Sequence, residues 1–378
     1  MIAFAIFKYF PYGGQQRDFL NVALACQARG YHIRVYTLSW QGERPEGFEI
    51  VVLRVAGFAN HARYRRFAAR LADDLAWRPA ACMVGFNKLP GLDVYYAADP
   101  CFADRARARR APLYRLTRRY RLFSRFERQV FDPQADTRVL LITPRQREPF
   151  QRCYGTPAHR FSVLPAGVDR DRQRGTDAAA VRRALRREFA VGDHELLVLL
   201  IGSGFVTKGL DRALLAVAAL PDGLRERVRL FVIGQDKPRQ FIAMAEQLGI
   251  GPRVRIFAGR DDIPRFLQGG DLLLHPAYSE SGGIVLLEAI IAGLPVLATD
   301  VCGFAPYVLE SGAGALVASP FSQAALNEAL RRALEDDAQR AAWSANGVRF
   351  GREADIYGMA ERAADLIEER LRGPALSA

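Results

Sequence analysis

Short apolar runs alternate with segments of helical periodicity from one end of the chain to the other, the pattern of βαβ units and parallel sheets. Strands are predicted at residues 2–7, 32–38, 49–55, 81–85, 93–97, 139–143 and 161–164. A second series follows at 196–201, 229–233, 254–257, 272–275, 295–298 and 315–317, each spaced from the next by a plausible helix. Between the series, residues 165–175 form a polar stretch without hydrophobic period, which reads as an interdomain linker. Past the second series only helical patterns remain, at 322–335, 339–348 and 354–372. The expected fold class is therefore α/β with two domains.

Composition agrees and narrows the setting. A chain of 378 residues, 50% hydrophobic, suits two domains with ample core. Its five cysteines are scattered without C-x-x-C spacing, so neither a zinc site nor a disulfide framework is indicated and a reducing, cytoplasmic compartment is expected. The opening Met1-Ile-Ala-Phe-Ala-Ile-Phe is too short for a secretory h-region and lacks a basic flank. No run approaches the ~20 apolar residues of a spanning helix, so a soluble or peripheral protein is expected.

Charge is concentrated. Between Arg105 and Arg128 stand ten arginines and one acid, Glu127, a local +9 in a chain of net +12. Leu113, Leu116, Tyr120 and Phe123 recur there at helical spacing, which describes a basic amphipathic helix lying in an anionic membrane interface. A solvated basic helix without a partner is the plainer alternative. Nucleic acid rates lower, because no RNP motif, zinc finger or basic zipper accompanies the charge.

Candidate chemistry gathers in three loops. Glu280-Ser-Gly282-Gly283-Ile284 opens a helix after a strand, and Glu288 follows with seven residues between it and Glu280. Glycines there let a diphosphate reach free backbone N–H groups at the positive end of a helix. Glu288 falls in an apolar helix, where a carboxylate needs a partner such as ribose hydroxyls. Lys208-Gly209 ends a loop after the strand at 196–201, placing a cation where a leaving diphosphate develops charge. The loop does not fit G-x-x-x-x-G-K-[ST], so a nucleotide hydrolase is disfavoured. Near the N-terminus, Gly13-Gly14 follows the first strand and Asp18 lies one turn into the next helix. Asp18 reads equally as a charge partner of the helix N-terminus. The dinucleotide fingerprint is absent, which argues against NAD.

Together these loops resemble the retaining glycosyltransferases of the two-Rossmann-domain (GT-B) type. The blocks Lys8 to Asp18, Gly85 to Asp93, Gly234 to Arg239 and His275 to Tyr278 resemble, more narrowly, the lipopolysaccharide core glycosyltransferases that add the first hexose to inner-core heptose. The resemblance implies two domains facing each other across a cleft. It places the acceptor-binding domain at residues 1–166, with the helix at 354–372 packing back on it, and the nucleotide-sugar domain at 167–353.

It implies that Glu280 contacts the donor sugar, that Glu288 binds the ribose, and that Lys208 binds the diphosphate with backbone groups of Gly13, Gly14, Gly282, Gly283 and Ile284. Asp18, Asp99 and Arg172 would surround the sugar. Relatives often carry a second cation in the first loop of the second domain, where this chain has Ser203 and Thr207; Arg172 or Arg260 would substitute. No metal or other cofactor is expected, and Asp169-Arg-Asp171 in the linker is discounted as a metal motif. The implied partners are a UDP-sugar, a lipid A inner-core acceptor whose phosphates would meet Lys88 and nearby arginines, and the anionic cytoplasmic face of the inner membrane. Two rival readings remain: transfer to another acceptor, and a non-catalytic binding protein that keeps the fold.

Overall fold

The computed structural model describes residues 1–11, 13–109 and 112–372. Among them are thirteen strands in two sheets, both parallel throughout. The first sheet takes β1 (Ile2–Ala5), β2 (Ile33–Thr37), β3 (Phe48–Val52), β4 (Cys82–Gly85), β5 (Val94–Ala97), β6 (Arg138–Leu141) and β7 (Phe161–Val163) in the order β3-β2-β1-β4-β5-β6-β7. The second takes β8 (Leu196–Ile201), β9 (Val228–Ile233), β10 (Val254–Phe257), β11 (Leu272–His275), β12 (Val296–Thr299) and β13 (Gly314–Val317) in the order β10-β9-β8-β11-β12-β13. In each, strand order reverses beside the first strand, between β1 and β4 and between β8 and β11. These are doubly wound Rossmann-like sheets.

Strand residues alternate between two covered faces, which is why the sequence shows continuous apolar runs instead of alternation. Ile2 and Phe4 pack with Phe19, Val22, Leu366 and Ile367 on one side. Ala3 and Ala5 pack with Phe67, Phe131 and Phe150 on the other. In the second sheet Val198 and Leu200 meet Leu214, Val217 and Leu330.

The chain divides into two compact units, one of Met1–Gly167 with the chain from Gly358 onward, the other of Val168–Tyr357. The last helix starts at Met359, five residues after the predicted 354, and the helix before it runs on to Glu353. Met359, Ala363, Leu366 and Ile367 sink into the first unit's core. Arg29 clasps the same helix through Glu361 (2.7 Å) and Asp365 (2.8 Å).

Candidate active site

The two loops that leave β8 and β11 lie side by side at the reversal point of the second sheet, the place where open α/β sheets bind ligands. After β8 comes the short helix Phe205–Lys208, then Gly209 at φ 76°, then helix Leu210–Ala218. After β11, residues 276–283 turn into helix Ile284–Ile291, which Gly283 opens at φ 89° with no capping side chain.

Hydrogen bonds lace the two loops together. The Tyr278 N–H donates to the Thr207 carbonyl (2.9 Å), and Arg212 donates to the carbonyls of Pro276 (3.2 Å) and Ala277 (3.1 Å). The Arg212 guanidinium also lies 3.5 Å from the ring centroids of both Tyr278 and Phe321. A Cβ at Gly209 would collide with the Pro276 carbonyl, so only glycine allows this approach. A third segment holds the far side: Gly303 N–H donates to the Glu280 carbonyl (3.2 Å) and Phe304 N–H to that of Gly282 (2.8 Å).

This lacing brings Lys208 and Glu280 into contact, Lys208 Nζ donating to Glu280 Oε2. Burial pulls the Lys208 ammonium down to about 8, because few solvent dipoles remain to stabilise its charge. Behind the pair sits His275 at the end of β11, fully buried, with Nε2 3.7 Å from Glu280 Oε2. Neither of its ring nitrogens has a hydrogen-bond partner. Burial, reinforced by the Lys208 charge, lowers the imidazole to about 3 and keeps it neutral. Glu288 points from the same helix into a buried position, with Arg172 Nε 3.8 Å from its Oε1.

The candidate residues of the first unit lie around β1, β4 and β5. Gly13 precedes helix Gly14–Ala28, which has no capping side chain, and Tyr12 of this turn falls outside the described residues. Asp18 accepts a 2.8 Å hydrogen bond from Tyr96 Oη of β5. Asp99 stands exposed in the bend after β5.

Arg260, the other candidate for a second cation, is engaged by Asp262 through two bonds of 2.6 and 2.8 Å. Two expectations need correction. Lys88 does not present its charge to phosphates: its ammonium is 2.6 Å from the buried Glu127 carboxylate and donates to the Pro100 carbonyl (2.8 Å). The basic segment is not one helix. Helix Phe102–Arg109 ends before a 3-10 turn, Pro112–Leu116, and Thr117 caps a new helix, Arg118–Phe131, by accepting from Tyr120 N (3.1 Å). Leu113 and Leu116 are therefore exposed in the turn, whereas Tyr120 and Phe123 pack against Phe102. Arg110 in this segment lies outside the described residues.

Sequence reading missed Arg212, the residues 302–304 and Asp236, which accepts from Phe205 N (2.9 Å) and fixes the loop before Lys208. The one available signal was Gly234: its Cβ would strike the Gly202 carbonyl, so two glycine turns must touch. Among the described residues, no three His, Cys, Asp or Glu side chains gather as a metal site, and no helix is long and apolar enough to cross a membrane.

Residues 12–172 match the family model Glycosyltransferase Family 4, and residues 181–350 match Glycosyl transferases group 1. With two Rossmann-like sheets and a Lys–Glu pair at the reversal point, they define a glycosyltransferase of the GT-B class. The lipopolysaccharide glucosyltransferase WaaG of Escherichia coli (strain K12) is 45% identical over 373 residues, 99% of this chain and 100% of the relative. The crystal structure of WaaG, a glycosyltransferase involved in lipopolysaccharide biosynthesis, matches with a TM-score of 0.94 at 46% identity, over 97% of this chain and 99% of that one. The chain belongs to the WaaG family of lipopolysaccharide glucosyltransferases. A sucrose-phosphate synthase from Thermosynechococcus elongatus shares the fold, with a TM-score of 0.78 at 18% identity over 98% of each chain.

Proposed function

We propose that this chain transfers a hexose from a UDP-sugar, with retention at the anomeric carbon, to heptose of the lipopolysaccharide inner core. The observation that carries the reading is the Lys208–Glu280 contact beside an uncapped helix N-terminus, in a chain 45% identical to a lipopolysaccharide glucosyltransferase along its whole length.

The donor's diphosphate lies against Lys208 and the N–H groups of Gly282, Gly283 and Ile284. When the bond from the anomeric carbon to the β-phosphate oxygen breaks, its electron pair stays on that oxygen. A buried ammonium and a helix N-terminus stabilise the charge more strongly than water would, because they are already oriented and the local dielectric is low. Glu280 faces the sugar. Glu288, steadied by Arg172, accepts from the ribose hydroxyls. Gly13, Gly14, Asp18 and Asp99 belong to the first unit, which receives the acceptor.

The enzyme works as a peripheral protein on the cytoplasmic face of the inner membrane. The support is the run of exposed arginines around Leu113 and Leu116, since each cation near an anionic surface is worth roughly 1 kcal/mol. The test is UDP release from a panel of UDP-sugars with and without lipid A core acceptor, with the product weighed by mass spectrometry. A hexose added only when heptose is present is the expected result. UDP release indifferent to acceptor, or addition elsewhere, would reject it.

A further inference from the structure

A second basic element stands beside the first. From residue 50 to residue 72 the chain has five arginines, Arg54, Arg63, Arg65, Arg66 and Arg70, and no acid. Its formal +5 and the +9 between Arg105 and Arg128 together exceed the net +12 of the whole chain, so the remaining surface is slightly acidic. Structurally, these residues run from the end of β3 through the loop that follows it into the first turns of helix Asn60–Trp77. Among the described residues, none of the five arginines is within ion-pair distance of a carboxylate.

Two of them hold the loop instead. Arg66 donates to the Ala56 carbonyl and Arg70 to that of Arg54 (3.0 Å), pinning the backbone that leads into Gly57. Gly57 takes φ 138°, and a Cβ there would press on Arg66 Nη1 and on Arg63 Cγ. The turn thrusts out Phe58, whose ring is entirely exposed. An aromatic side chain held out by a pinned loop, with guanidinium groups around its base, is costly in water alone.

The element adjoins the basic helix directly. Tyr64, next to Arg63 in the sequence, meets Phe123 edge to face at 6.0 Å. The Arg119 guanidinium lies 5.4 Å from the same Phe123 ring. Arg118, Arg119 and Arg121 are all exposed nearby.

We propose that residues 54–66 form a second membrane-contacting element, with Phe58 inserting into the bilayer interface and Arg54, Arg63 and Arg65 meeting anionic headgroups. The proposal rests on the peripheral-membrane reading above and widens its surface from one helix to two. A free phosphosugar has no use for Phe58, Leu113 and Leu116; a bilayer interface accommodates apolar wedges among cations. A second copy of this chain would bring like charge to like charge. The opposite end of helix Asn60–Trp77, about 27 Å away, supplies a control. There Trp77 is 88% exposed but follows Asp73 and Asp74, so it has the apolar surface without the charge.

The test is co-sedimentation of the full chain with vesicles of 30% phosphatidylglycerol in phosphatidylethanolamine, against phosphatidylcholine vesicles and a single-stranded RNA. Each arginine near an anionic surface is worth roughly fivefold in partition. Arg54→Gln/Arg63→Gln/Arg65→Gln is expected to lower partition onto anionic vesicles at least about tenfold, Phe58→Ser several-fold, and Trp77→Ser not at all, with UDP affinity unchanged in all three. In Phe58→Trp, anionic vesicles carrying brominated acyl chains should quench emission beyond the quenching of the parent protein. Wild-type partition of the triple variant, while Arg115→Gln/Arg118→Gln/Arg119→Gln/Arg121→Gln loses it, would overturn the second element and leave the first. Wild-type partition of both would reject the membrane reading itself. Loss of RNA binding without loss of vesicle binding would replace the bilayer with nucleic acid.

Discussion

Lys208 and Glu280 are each other's partner, Lys208 Nζ donating to Glu280 Oε2, whereas the proposed reaction gives the ammonium to the diphosphate and the carboxylate to the sugar. A diphosphate entering this site has to draw the ammonium away from the carboxylate and meets the carboxylate's repulsion as it does so. Glu280→Gln removes competitor and repulsion together. UDP should bind this variant several-fold more tightly than wild type, while hexose transfer falls by about 10²-fold. Isothermal titration with UDP and a single-turnover transfer assay measure the two arms. Transfer at the wild-type rate would overturn Glu280 as a reacting group.

Because burial brings Lys208 down to about 8, its charge is lost just above physiological pH. The charged form is the one a diphosphate needs, so affinity is held below pH 8 and lost above it. The dissociation constant for UDP should rise about tenfold between pH 7 and pH 9. Lys208→Arg keeps its cation throughout and should flatten the profile, even if its baseline affinity is lower. A wild-type profile flat to pH 9 would assign the diphosphate to another cation.

His275 makes an acid-side prediction. Unfolded, the imidazole titrates near 6.5; folded, burial holds it neutral to about 3. Below 6.5 the unfolded chain therefore takes up a proton that the folded one refuses, and stability falls with pH by up to about 1.4 kcal/mol per unit. Between pH 6.5 and 5 the wild type should lose about 2 kcal/mol through this residue alone. His275→Leu, of similar volume and without unpaired nitrogens, should lose that much less, as read from urea midpoints at the two pH values. Equal losses in both proteins would show that the ring is solvated or paired.

The strands were legible because each is a short apolar run closed by glycine, proline or a polar cluster, as β8 and β11 are. The Glu280 loop was legible for the same reason, since its glycines and the seven residues separating it from Glu288 need no tertiary information. The pairing of Glu280 with Lys208, 72 residues away, was not. It follows from sheet order, which places β8 next to β11 while β9 and β10 lie between them in the sequence. Arg212 was invisible for another reason. An arginine one turn past a glycine reads as solvated, and nothing local reveals that Tyr278 and Phe321 will enclose it. The basic segment was misread as one helix although Thr117 offered an N-cap, because hydrophobic spacing across 113–123 continued through the break.

Glu127 shows why a lone acid survives among ten arginines. It is fully buried, and its carboxylate accepts from the N–H groups of Phe102 (2.7 Å) and Ala103 (2.9 Å), from Tyr154 Oη (2.6 Å) and from Lys88 Nζ (2.6 Å). One side chain of helix Arg118–Phe131 thus caps helix Phe102–Arg109 and neutralises a buried lysine of the loop after β4. Burial alone would raise its carboxyl, but the Lys88 ammonium, Tyr154 and the Phe102 N–H hold it below the usual carboxylate range. Glu127→Ala leaves Lys88 buried without its charge partner and two helix N–H groups without an acceptor, and should cost about 3–5 kcal/mol in urea unfolding. Glu127→Ala/Lys88→Met removes both charges and should recover a large part of that loss, because an apolar pair replaces an orphaned cation. The same double variant separates structure from docking. If Glu127 only organises the basic segment, the double variant should bind anionic vesicles as wild type does once folded. A single variant as stable as wild type would mean that water, not Glu127, satisfies Lys88.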